Sequence, residues 1–217
     1  MKSQSLAFLL LIAGGSAACA ATTLTPTTRG RVSFKGNKSA PSEYLTSTSG
    51  TSGLPVGDSS DNTTVHAGLY NFTVSGQTVA IAAASQILFL VTPTNSSGTA
   101  PDIRLVAFTT DVNSIPSTAS TAAGTIVATL SASSISIGSP VSFDVTSYVK
   151  ADALAGNFSS FRLESVMDAS NGGTADFFTF GTIDTNDARL EIIPEPGFPA
   201  LLGVTGALVL LRKRRHA

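Results

Sequence analysis

Tryptophan is absent from this 217-residue chain, cysteine occurs once, histidine twice, and charged residues make up only 12%. The single thiol, Cys19, excludes an internal disulfide framework and a thiolate-built zinc site. His66 and His216 each stand alone, which argues against a histidine-centred active site. The 13 Lys+Arg nearly balance the 14 Asp+Glu, and no basic block interrupts the interior. Composition therefore gives no nucleic-acid partner. What fills the space is hydroxyl: Ser and Thr number 56, about a quarter of the chain.

Both ends read as address labels. Lys2 is followed by the apolar run Leu6 to Ala13 and then by small residues. This is the charged, apolar and cleavage order of a secretory signal peptide, here residues 1–21. Ala18-Cys19-Ala20 fits the small-x-small rule and places cleavage after Ala20 or Ala21. A lipoprotein signal would instead make Cys19 the lipidated first residue, but Ser16 stands where that pathway prefers Leu. At the other end, Pro194-Glu195-Pro196 precedes 14 mostly apolar residues from Phe198 to Leu211, then the basic group Arg212, Lys213, Arg214 and Arg215. As a single hydrophobic helix the run is about 21 Å long, short of a typical hydrocarbon core of about 30 Å. The basic group would act as a membrane stop on the cytoplasmic side.

This tail, residues 194–217, resembles the PEP-CTERM sorting signal of Gram-negative bacteria. The resemblance implies recognition by an exosortase-type membrane sorting enzyme. It also implies transient anchoring in the inner membrane through the C-terminal helix, cleavage near the motif, and transfer to the cell surface or exopolysaccharide matrix. With the five bases of the two ends and Glu195 set aside, 8 bases and 13 acids remain in residues 22–193, a net charge of about −5.

Residues 22–193 read as one all-β domain. Period-two alternation and β-branched runs predict nine strands, at 31–35, 65–74, 86–92, 103–109, 125–130, 141–145, 158–166, 175–182 and 189–193. One short helix is predicted over 147–154, capped by Thr146 and ended by Gly156. Asn171-Gly172-Gly173 predicts a hairpin between its flanking strands, and the Ser/Thr/Gly-rich stretches 39–60 and 114–124 read as connections. The pattern suggests a single antiparallel β-sandwich, jelly-roll-like. The segments Phe143-Asp144-Val145-Thr146-Ser147, Phe161-Arg162-Leu163, Phe177-Phe178-Thr179-Phe180 and Arg189-Leu190-Glu191-Ile192 resemble, in that order, the motifs of the DNRLRE family of secreted β-sandwich modules. That resemblance implies a relationship to carbohydrate-binding modules, although the Trp-containing segment of that family is missing here.

No catalytic constellation stands out. The acids of the body, among them Asp58, Asp102, Asp168 and Asp176, are scattered, and no spacing singles out a glycosidase pair. His66 lies in a predicted strand without a nucleophile-elbow motif. The oxygen-rich loops Asp184-Thr185-Asn186-Asp187 and Asp58 to Asn62 suit a hard cation, and Asp184, Asn186 and Asp187 are candidate ligands for a structural calcium. Tyr44, Tyr70 and Phe177 are the rings freest to stack on a sugar; Phe178 and Phe180 share one strand face and Phe177 takes the other. The expectation is an exported, non-catalytic surface or matrix protein with extracellular polysaccharide as a candidate ligand. The alternatives are an extracellular polysaccharide hydrolase or lyase and a purely structural matrix subunit.

Overall fold

Alternation between faces organises the backbone. A computed structural model describes residues 21–37, 40–47, 53–58, 64–108, 123–156, 158–166, 175–181 and 188–195. These residues form thirteen strands and two α-helices. The strands are β1 (Thr22–Leu24), β2 (Thr28–Asn37), β3 (Ala40–Ser47), β4 (Leu54–Asp58), β5 (Thr64–Thr73), β6 (Ala84–Val91), β7 (Pro93–Ser97), β8 (Ile103–Phe108), β9 (Thr125–Leu130), β10 (Val141–Asp144), β11 (Phe158–Ser165), β12 (Phe177–Phe180) and β13 (Arg189–Pro194). The helices are α1 (Thr78–Ala82) and α2 (Thr146–Ala155).

Two antiparallel sheets result. The smaller runs β1-β13-β6-β10. The larger runs β7-β12-β4-β5-β11-β8-β9, with β2 pairing β5 and carrying β3. Their facing sides share one apolar core: Phe89, Phe143 and Leu190 from the small sheet meet Tyr70, Phe72, Leu105 and Phe161 from the large one. Phe89 is the hub, with ring centroids 5.3 Å from Tyr70, 6.0 Å from Phe72, 5.6 Å from Phe161 and 6.2 Å from Phe143. Each buried ring of this kind contributes roughly 1.5–3 kcal/mol. The protein is therefore all-β and built from two packed sheets, as the alternation predicts.

All nine predicted strands are present, as β2, β5, β6 and β8 to β13. The strands β1, β3, β4 and β7 go beyond the prediction; β3 and β4 lie within the Ser/Thr-rich stretch that reads as a connection. The hairpin expected around Asn171-Gly172-Gly173 is corrected by the pairing. That tripeptide lies outside the described residues, and its flanking strands β11 and β12 are not partners. β11 pairs with β5 and β8, whereas β12 pairs with β4 and β7. The β4–β12 contact depends on Gly57, at φ +134°, where an added Cβ would lie 2.8 Å from Phe177 Cα.

Helix α2 ends as predicted, with Gly156 left-handed at φ 73°. Its start differs from expectation. Thr146 is the first helical residue rather than the cap, and its Oγ1 accepts the Ile87 N–H at 2.8 Å. Val145 holds the N-cap position without a side-chain hydrogen bond, and Asp144 braces the first helical residue. Its Oδ1 accepts from Thr146 N at 3.0 Å and from Thr146 Oγ1 at 2.6 Å. These hydrogen bonds hold the Asp144 carboxyl below its ordinary value.

Candidate functional site

The three rings proposed for sugar stacking do not come together. Tyr70 is 2% exposed, inside the core against Phe89. This corrects its reading as a free ring: residues 70 and 72 share the inward face of β5, so sugar could reach Tyr70 only by opening the sandwich. Tyr44 lies on β3, with its backbone opposite Phe34 of β2. Phe177 lies half-buried on β12, opposite Gly57 of β4 and Ser97 of the edge strand β7. Its neighbours Phe178 and Phe180 are 4% and 1% exposed, so the expected division of faces holds along this strand. In register around Phe177 stand Thr179, Asn95 and Ser97, a small ring-and-hydroxyl surface at the sheet edge. Asp176 fixes its rim, because its Oδ1 accepts the Thr99 N–H at 2.7 Å.

The calcium candidates Asp184, Asn186 and Asp187 lie outside the described residues. Among the described residues no group of three or more His, Cys, Asp and Glu could hold a metal ion. Asp58, from the second oxygen-rich loop, is 2% exposed at the end of β4, and its N–H donates to Asp176 O at 2.9 Å.

A charged cluster that sequence reading missed lies on the other face of the large sheet. Glu164 is 4% exposed; its Oε2 accepts from Arg162 Nε and its Oε1 from Arg104 Nε, both at 2.5 Å. The Arg162 guanidinium carbon stands 5.0 Å from the centroid of the Phe108 ring, a cation–π contact. Burial pulls the Arg162 guanidinium below its ordinary value, and Glu164 opposes that shift. Val32, Ala67, Leu69 and Phe108 form a second apolar cluster on this side. A signal was present: Arg162 and Glu164 are opposite charges two residues apart in a strand, hence on one face.

His66 also has a cross-strand partner. Its Nδ1 lies 2.7 Å from Ser33 Oγ, and the two residues are paired in register between β2 and β5. Ser33 is 2% exposed. An acyl-transfer nucleophile needs an approachable hydroxyl beside its base; the buried Ser33 Oγ suits a ladder-stiffening hydrogen bond.

The first two residues of the Pro-Glu-Pro segment lie among the described residues. Pro194 closes β13, opposite Ala84 of β6. The exposed Glu195 follows, and its backbone N–H donates to Ala83 O at 3.0 Å. Ser85 Oγ donates to the carbonyls of Ile193 and Pro194 at 3.1 and 3.2 Å. The first two residues of the motif are thereby fixed at the end of the sandwich that carries α1. Pro196, the apolar run and Arg212, Lys213, Arg214 and Arg215 lie outside the described residues, as do residues 1–20 of the expected signal peptide. Among the described residues no helix is long and apolar enough to cross a membrane.

No family model matches the chain, and no curated protein matches it.

Proposed function

We propose that this is an exported bacterial protein, delivered to the cell surface or exopolysaccharide matrix by an exosortase-type enzyme that recognises the 194–217 tail. The observation that carries the reading is where the last described strand ends: Pro194 is the last residue of β13, and Glu195 follows it, exposed and beside Ala83. Cleavage beyond Pro194 would leave every described strand intact. Its sequence supplies the rest: Pro-Glu-Pro, a short apolar run and a basic stop, with a signal-peptide pattern at the N-terminus.

In this reading the body, a jelly-roll-like sandwich, is a non-catalytic display module whose role is contact with polysaccharide. The surface around Phe177, with Thr179, Asn95 and Ser97, supplies one ring and several polar partners. The test is localisation of the full chain and of a chain lacking residues 194–217, in a host that carries such a sorting enzyme. The full chain is expected at the surface and the shortened one in the periplasm or medium. Equal surface display of both would overturn the sorting reading.

A further inference from the structure

The end of the sandwich from which the tail leaves is apolar. Helices α1 and α2 lie side by side there, and Val79 and Leu154 are 83% and 87% exposed, the two most exposed large apolar side chains among the described residues. Between the helices is a cavity of about 440 Å³ lined by Thr78, Ile81, Ala82, Lys150, Ala153 and Leu154. On the other side of α1 a second cavity of about 420 Å³ reaches Val79, Ala83, Ile192 and Pro194. Lys150 and Asp152 are the only Lys, Arg, Asp or Glu on the two helices, and both are engaged within the domain. Lys150 Nζ donates to Ala84 O at 2.7 Å, and Asp152 accepts from Ser159 Oγ at 2.8 Å. An outward surface of Ser, Thr, Val, Ala and Leu is left.

We infer that this α1–α2 face seats on the lipid bilayer while the tail is uncut, with Val79 and Leu154 entering the interfacial region. The inference rests on the reading of the tail as a membrane-inserted segment. Two observations choose lipid as the occupant. Glu195 is pinned to Ala83, and Phe198 is three residues further on, so the apolar run begins within about 10 Å of this face. The run, at roughly 21 Å as a helix, is also some 9 Å shorter than a typical hydrocarbon core, and short spans are accommodated by drawing flanking groups into the interface. A domain face whose two helices carry no unengaged charge is what such a flank requires, with the exposed Glu195 at its edge beside Ala83. The face also holds the Pro-Glu-Pro segment at membrane level, where an intramembrane sorting enzyme could reach it.

The test uses the exported, uncut chain from a Gram-negative host lacking a sorting enzyme, placed in phosphatidylethanolamine–phosphatidylglycerol vesicles. An environment-sensitive fluorophore is attached to single cysteines, in a Cys19→Ser background, by Leu154→Cys, Leu202→Cys or Ile137→Cys. Ile137, 48% exposed in the turn between β9 and β10, marks the opposite end of the sandwich. The labels at 154 and 202 are expected to shift to the blue and become several-fold less accessible to an aqueous quencher, with neither change at 137. A buried label at 202 beside a freely quenched label at 154 overturns the inference and leaves the anchor reading standing. A freely quenched label at 202 overturns both. Protection at 154 without vesicles assigns the face to the chain's own tail or, if lost on dilution, to a second copy, and either result overturns the lipid assignment.

Discussion

The Tyr70 ring meets the Phe89 ring edge-on, with centroids 5.3 Å apart and planes at 65°, and this contact joins the large sheet to the small one. Phe89→Ala removes the ring shared by four aromatic neighbours and is expected to destabilise the fold by about 3–5 kcal/mol. Tyr70→Ala should behave alike, and any polysaccharide binding it loses should follow the unfolded fraction. Urea unfolding beside binding measured on the folded fraction checks this; a stable Tyr70→Ala chain with binding abolished would restore Tyr70 as a ligand contact.

Glu164 bridges Arg162 and Arg104 on the opposite face of the large sheet. Glu164→Gln removes the carboxylate charge that Arg162 and Arg104 share, and breaking a buried pair this way costs about 3–5 kcal/mol. Replacing Arg162 by Met in the same chain should recover part of the loss. Denaturant midpoints of the single and double variants decide it, and equal midpoints for both would show that the charge pair is not what the single variant loses.

Asp144 gives the fold an acid-sensitive contribution. Hydrogen bonds from Thr146 lower its folded pKa below the ordinary 3.8, so the stabilisation is present above that value and is lost as pH falls through the lower folded value. Asp152 has the opposite sign: burial raises its pKa above 3.8, so its ionised form penalises the fold at neutral pH and protonation relieves that penalty. Asp144→Ala, which removes both hydrogen bonds from Thr146, should lower stability at neutral pH by about 1 kcal/mol and flatten the fall on acidification. Thermal melts from neutral to strongly acidic pH check both parts; an unchanged acid limb would assign the loss to other carboxylates.

Gly57 is where β4 and β12 approach most closely. Gly57→Ala would place a Cβ 2.8 Å from Phe177 Cα at a φ of +134°. The cost is expected to exceed about 1 kcal/mol and to loosen β12, which carries Phe177. Hydrogen exchange of the β12 amides measures this directly; protection equal to the parent would mean that the strands separate without cost.

The strands that face one core and one outer side are legible because alternation writes them into the sequence. Phe177, Phe178 and Phe180 show this, with burial following parity. β5 is legible as a strand, but its sides are not, because both of its faces are covered and alternation loses contrast. That hides the burial of Tyr70, although its shared parity with the buried Phe72 holds the answer. β3 and β4 are hidden by Pro, Gly, Ala, Glu and Asp, whose weak strand preference is overridden by the pairing edges that β2 and β12 provide. The Arg104–Glu164–Arg162 cluster joins β8 to β11 across 60 residues, and only half of it, the Arg162–Glu164 spacing, is local. The Pro-Glu-Pro, apolar and basic order is read whole from consecutive residues. Its attachment through Ala83, a neighbour only in space, is not.

The most direct measurement is peptide mapping with intact mass on the form displayed at the cell surface of a host with an exosortase-type enzyme. The expected chain begins at Ala21 or Thr22, ends close to Pro194-Glu195-Pro196, and yields no peptide from the 198–217 segment. A surface form that keeps Phe198 to Ala217 would contradict sorting through this tail.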